Sequence, residues 1–200
     1  MNVAERMGRL GTESAFEVLA RAKALERQGK QIIHLEIGEP DFDTPEHIRD
    51  AAKRALDAGA THYGPSAGLP ELREAIAKHI TETRGVPVSA EQVVVTPGAK
   101  PIMFFTIMTL AGPGDEVIYP NPGFPIYESV INFVGAKAVP IPLRESSEFG
   151  FDLELFEKSI SPRTKLIIIN SPANPTGGVL DRGQIDRIAA IAAARNVPVM

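Results

Sequence analysis

The stretch Lys165–Gly178, KLIIINSPANPTGG, decides how this chain is read. Leu166, Ile167, Ile168 and Ile169 form an unbroken apolar run, the pattern of a strand buried on both faces. The run gives way at once to Asn170-Ser171-Pro172-Ala173-Asn174-Pro175-Thr176-Gly177-Gly178. Two prolines and two glycines stop any regular strand or helix there. Beyond Asp181, apolar residues return at helical spacing as Ile185, Ile188, Ala189 and Ala192. A buried strand therefore feeds a stiff, asparagine-bearing loop and then a helix. In open α/β sheets, ligands lie at the carboxyl ends of strands, where such a loop sits. Asparagines also serve as ordinary turn formers, and the stretch by itself leaves both readings open.

Upstream the same order recurs. Val93–Thr96 predicts a short buried strand, Pro97-Gly98-Ala99-Lys100 a tight turn, and Pro101–Leu110 a helix. That helix is apolar on nearly every side, so it is expected to be buried within the domain. Glu116–Tyr119 is the next predicted strand, followed by the stiff loop Asn121–Pro125 and a helix to about Phe133. Ala138–Leu143 reads as a strand that tolerates Pro140 and Pro142 only at an edge. Asp152 is placed to cap a helix carrying Leu153, Phe156 and Ile160, and Asn196–Met200 opens a further strand. This alternation predicts an α/β fold: a mostly parallel sheet with helices on both faces, incomplete at the C-terminus. The chain stops on that opening strand without a turn or cap, which reads as a fragment.

The first ninety residues read differently, as helices and irregular loops. Ser14 and Glu17 make a capping box for a helix carrying Phe16, Leu19, Ala22 and Leu25, with a mobile arm ahead of it. Ile32–Leu35 suggests a short strand. Thr44 as N-cap and Pro45 at the first helical position open a helix whose buried face is Ile48, Ala51, Ala52, Ala55 and Leu56. A loop, Thr61–Gly68, then leads to a helix with Pro70 in its first turn.

Composition narrows the function. Hydrophobic residues make up 44% and charged residues 23%, as in ordinary globular chains. The net charge of -4, without a basic block, argues against nucleic acid or an anionic membrane as partner. There is no cysteine, which removes disulfides, thiolate nucleophiles and Cys-ligated metals. No apolar run reaches membrane-spanning length and the first residues carry no secretory pattern, so the cytoplasm is expected. The four histidines lack metal-ligand spacing, and neither a phosphate loop of the G-x-x-x-x-G-K type nor a dinucleotide fingerprint is present.

Four positions could carry chemistry. Gly98 lets the backbone turn so that the N–H groups of Ala99 and Lys100 converge at a helix start, an anion cradle. A glycine also suits any strand-to-helix turn, and Lys100 could simply be solvated. Phe124, between Gly123 and Pro125, is either core or a platform for a flat ligand. Tyr63 offers a phenol in a loop, and Asn174 an amide that can donate or accept. Cradle, ring and amide together describe a site for a flat, phosphorylated cofactor.

Five segments carry a family resemblance: GEPDFDTP (Gly38–Pro45), HYGPSAGLPELREAIA (His62–Ala77), VVVTPGAK (Val93–Lys100), PGDEVIYPNPGFPIY (Pro113–Tyr127) and NSPANPTGG (Asn170–Gly178). In kind, order and spacing they resemble the class I/II aminotransferases, pyridoxal-phosphate enzymes of the aspartate aminotransferase superfamily. The resemblance implies a fold of the PLP-dependent transferase type. Residues 1–30 would be an N-terminal arm and helix, and residues 31–200 a partial class I/II domain, with the cofactor-binding large domain from about residue 60 onward. It implies that Gly98, Ala99 and Lys100 hold the phosphate of pyridoxal 5'-phosphate, that Phe124 stacks on its ring and that Asn174 bonds its 3′-oxygen. Tyr63 would reach the phosphate in the partner subunit's site of a homodimer, and Gly38 would lie near the substrate carboxylate. The activity implied is transfer of an amino group between an amino acid, of aspartate, alanine or aromatic type, and a 2-oxo acid.

The chain departs from the family in what it lacks. None of its eight lysines sits in the family's Schiff-base context, so that lysine is expected beyond Met200 and the chain alone is expected to be inactive. Two alternatives stand beside this reading: a PLP lyase or synthase of the same fold, and a non-catalytic dimerising module if these residues are the whole protein.

Overall fold

The computed structural model describes residues 2–11 and 14–200, apart from the Ser14 side chain. The capping box read from Ser14 and Glu17 lies outside the described residues. The chain divides into two compact units, one of Met1–Ser14 with Ala99–Met200 and one of Ala15–Gly98.

The first unit is built on a parallel sheet. Its strands are β1 (Glu116–Asn121), β2 (Lys137–Pro142) and β3 (Thr164–Ile167), in the spatial order β2-β1-β3. Beyond β3, the Ile167 N–H donates to Pro198 O at 3.0 Å and the Met200 N–H to Ile167 O at 2.9 Å, so the last residues begin a further parallel ladder. The edge position of β2 explains its prolines. Lys137 and Leu143 donate their N–H groups to Asp115 and Asn121 on the β1 side. By strand alternation, Pro140 and Pro142 then turn their missing donors to the open edge.

Both faces of the sheet are covered, as the apolar run of β3 requires. Val117, Tyr119, Leu166 and Ile168 pack on Met103 and Ile107 of α4 (Ala99–Leu110) and on Tyr127, Val130 and Ile131 of α5 (Ile126–Phe133). On the other face Ile118, Ile141 and Ile167 meet Phe156 of α6 (Leu153–Ser159) and Ile188 and Ala192 of α7 (Arg182–Ala194). Asp152 accepts from the Leu155 N–H to cap α6, and Asp181 with Gln184 forms a capping box on α7.

At the amino ends of the strands one buried carboxylate ties the sheet together. Glu116, 3% exposed, accepts from Lys137 Nζ at 3.2 Å, from an Arg163 guanidinium nitrogen at 2.9 Å and from Ser161 Oγ at 2.6 Å. The Ser161 hydroxyl first, then the two cations, hold its pKa down at about 2 against the opposing effect of burial.

The second unit holds α1 (Ser14–Glu26), α2 (Glu46–Asp57) and α3 (Pro70–Arg84), with a 3-10 turn at Ala90–Gln92. Arg73 of α3 donates to Val93 O at 2.9 Å and Ala90 O at 2.6 Å, fastening that turn to the helix.

Several expectations are corrected here. Ile32–Leu35 forms no strand, and Ile33 is 88% exposed; an apolar run without a neighbouring strand gains nothing by extending into a ladder. Val93–Thr96 is likewise no strand of the sheet, because its polar groups are engaged elsewhere: Val93 O by Arg73, and the Val95 N–H by Ala67 O at 2.9 Å. The apolar face read for α2 is exposed, with Leu56 at 64%, and α2 has no buried residue. Its start is also one residue later than read, with Pro45 at the cap position and no side-chain cap bond. In α4 only Met103 and Ile107 are buried, and Phe105 is 55% exposed, so the helix buries one stripe rather than its whole surface. The arm read as mobile is docked: Glu5–Arg9 forms a 3-10 helix, and Gly11 donates to Ser129 Oγ of α5 at 2.9 Å.

Candidate functional site

The carboxyl ends of β1 and β3 carry the asparagine-bearing and proline-stiffened loops. After β1 the chain turns at Asn121–Pro125, with the Asn121–Pro122 bond cis. Gly123 is obligatory here, because a Cβ at this position would collide with the Pro120 carbonyl oxygen. The turn sets Phe124 at half burial, ahead of α5. Its ring meets the Tyr127 ring edge-on, with centroids 6.1 Å apart and an interplanar angle of 85°.

Tyr127 joins the two strand ends. It is buried, and the side chain of Asn170, the residue that closes the isoleucine run, is the polar group that acts on its phenol. Burial pushes the phenol's pKa up and the Asn170 contact opposes that push. Neither Tyr127 nor Asn170 was picked out by sequence reasoning as a site residue. The signal available was the closeness of Tyr127 in sequence, three residues after Phe124.

Asn174 lies on the loop beyond. The Gly177 N–H donates to Ala173 O at 2.7 Å and the Ala173 N–H to Gly178 O at 2.8 Å, closing a tight loop with Asn174 exposed at its tip. Ser171 Oγ accepts from the Leu180 N–H at 2.9 Å, and the Ser171–Pro172 and Asn174–Pro175 bonds are cis. Underneath is a cavity of about 20 Å³ between Pro120, Leu143, Phe149, Ile169 and Ala173. That is room for about one water.

Lys100 comes to the Phe124 ring. It stands in the first turn of α4, where N–H groups have no partner within the helix. Its Nζ lies 5.7 Å from the centroid of the Phe124 ring. Gly98, the last residue of the second unit, has φ +87°, a left-handed conformation that a side chain would resist, and bonds back from its N–H to Thr96 O at 2.8 Å. Thr96 Oγ1 donates to Gly98 O at 2.7 Å, closing the turn from the other side.

Lys100, with Ala99 beside it, and Phe124 are thus brought together. Tyr63 and Gly38 belong to the second unit, where both are exposed. Chemically, α4's first turn suits an anion, Phe124 suits a flat ring, and Asn174 can donate to or accept from an oxygen. No group of three or more His, Cys, Asp or Glu able to hold a metal ion occurs among the described residues.

Comparison with known proteins assigns the class. Residues 30–200 match the family model for aminotransferase class I and II. The chain is 44% identical over 199 residues to an aspartate aminotransferase of Pyrococcus horikoshii, covering 99% of this chain and 50% of the relative. It is 40% identical over 195 residues to a probable aspartate/prephenate aminotransferase of Aquifex aeolicus, covering 98% of this chain and 50% of that one. Among solved structures, aspartate aminotransferase from Thermus thermophilus with maleate superposes with a TM-score of 0.95 at 37% identity, over 100% of this chain and 52% of that chain. Alanine aminotransferase from Pyrococcus furiosus gives 0.93 at 33% identity, over 99% and 51%.

The chain belongs to the class I and II aminotransferases, a family of transferases, and its fold is the corresponding part of the PLP-dependent transferase fold. It spans about half the length of the curated relatives it matches. Family membership implies use of pyridoxal phosphate.

Proposed function

We propose that this chain supplies the cofactor-orienting half of an aminotransferase that moves an amino group between an amino acid and a 2-oxo acid. The observation that carries the reading is the meeting of Lys100 with Phe124, an anion-seeking helix start against an aromatic face. That donor set fits pyridoxal 5'-phosphate, a flat ring bearing one phosphate. The group, when bound, supplies an electron sink for chemistry at the amino acid's α-carbon.

In this proposal the turn at Gly98 aims the backbone N–H groups of Ala99 and Lys100, which hold the phosphate. Phe124 covers one face of the ring, and Asn174 bonds the ring's 3′-oxygen. Tyr63 serves the partner subunit's site in a homodimer, and Gly38 lies by the substrate carboxylate. The large domain begins near residue 60, with residues 1–30 as arm and first helix. The Schiff-base lysine lies beyond Met200: none of the eight lysines here has the family's context, and the relatives are about twice as long. Aspartate-, alanine- and aromatic-type amino acids are the substrate classes, following the names of the relatives. No helix among the described residues is long and apolar enough to cross a membrane. We place the enzyme in the cytoplasm, and the lack of cysteine suits a reducing compartment.

Transfer of ¹⁵N from labelled aspartate to 2-oxoglutarate, followed by NMR in the full product of the gene, tests this. Labelled glutamate that forms at a rate dependent on Asn174 supports the reading. Release of the amino group as ammonia, with no labelled glutamate, sinks it.

A further inference from the structure

A histidine bridges the end of α1 and the segment that follows it. His34 Nδ1 lies 2.6 Å from Glu36 Oε1, and His34 Nε2 lies 2.8 Å from Glu26 Oε1. Glu26 is the last residue of α1, whereas Glu36 belongs to the irregular chain that runs on into Ile37–Pro45. The second oxygen of Glu36 accepts from the Leu35 N–H at 2.9 Å, and the Glu36 side chain is only 10% exposed.

A neutral imidazole has one N–H and one lone pair. It can donate to one carboxylate, and its lone pair would then face the other carboxylate at hydrogen-bonding distance. Both contacts are satisfied together only by the doubly protonated ring. Apart from an exposed contact of Arg49 with Asp43 at 3.4 Å, little else holds the segment: Ile33 and Leu35 are exposed, and among the described residues no backbone-to-backbone hydrogen bond involves residues 31–44.

We propose that His34 is a protonation-gated positioning residue, which as imidazolium clasps Glu26 and Glu36 and so fixes the entry to the segment carrying Gly38. Deprotonation releases the clasp. The two carboxylates are the charged groups that act on the ring, and their hydrogen bonds raise its pKa above the ordinary value of 6.5. The ring in turn holds Glu36 below the usual carboxylate range. With the folded-state value raised, the clasp is fully formed below pH about 6.5 and is lost as pH rises through the folded value. The consequence for substrate rests on the proposed role of Gly38; the clasp itself does not.

The test follows the His34 ring resonances by NMR across pH, together with hydrogen exchange of the Leu35 amide, in the 200-residue chain. In a Glu26→Gln/Glu36→Gln variant the ring's midpoint should fall. In the wild type, Leu35 protection, corrected for intrinsic exchange, should drop about two- to fivefold as His34 deprotonates, the scale of an exposed ion pair. His34→Gln should remove that step while the chain stays folded. A midpoint unmoved by the double variant, or Leu35 protection flat through the titration, overturns the clasp. In the full gene product, KM for the amino acid should rise through the same midpoint. A KM without that dependence, alongside a clasp that titrates, counts against the Gly38 assignment alone.

Discussion

Lys100 Nζ stands 5.7 Å from the centroid of the Phe124 ring, so the first turn of α4 and the loop after β1 meet at one point. The two residues are far apart in sequence and come together because α4 packs on the sheet face that β1 shares with β3. Around them, Tyr127 links Phe124 to the end of β3, where the asparagine loop departs.

That link has a measurable strength. Tyr127→Phe keeps the ring and removes a buried hydroxyl on which the Asn170 side chain acts. We expect a loss of about 1 kcal/mol, the net scale of one buried polar interaction, seen as a lower urea midpoint with an unchanged slope. An unshifted midpoint would show that the hydroxyl contributes nothing to the fold.

Glu116 makes acid stability predictable. Its carboxyl pKa is lowered from 4.5 to about 2 in the folded chain. A depressed carboxylate contributes stability that is present above the unfolded value and lost as pH falls through the folded one. The window is therefore pH 4.5 down to about 2. Glu116→Gln should cost about 2 kcal/mol at neutral pH, the scale of hydrogen bonds to a charged group, and should flatten the melting temperature across that window. A variant that keeps the wild-type acid slope would place the titration elsewhere.

What sequence reading reached, and what it missed, follows from the range of the forces involved. The isoleucine run of β3, the Asp152 cap and the edge position of Pro140 were legible because each is set by neighbouring residues or by strand alternation. The apolar stripe of α2 and the run Ile32–Leu35 were misread because an apolar pattern shows a need for burial without naming what buries it. Val93–Thr96 failed for a related reason: Arg73, twenty residues away from Val93, takes the carbonyl a strand would have used. The Tyr127–Asn170 contact was out of reach, because only the sheet brings those two residues together.

The lack of a Schiff-base context at all eight lysines predicts a negative labelling pattern. After incubation of the 200-residue chain with pyridoxal phosphate and reduction with borohydride, peptide mapping should find lysine labelling scattered and substoichiometric. One lysine labelled to stoichiometry would identify a covalent anchor within these residues and overturn the proposed division of roles.

The central claim is that these residues orient the cofactor without anchoring it. Pyridoxamine 5'-phosphate tests it most directly, since its amine cannot be captured by a lysine and any binding reports on orientation alone. Calorimetric titration of the 200-residue chain should give saturable binding. Asn174→Ala should weaken that binding about tenfold or more, as loss of a hydrogen bond to a charged oxygen, and Phe124→Ala by about two- to tenfold. No saturable binding, or binding that both variants leave unchanged, would contradict the account.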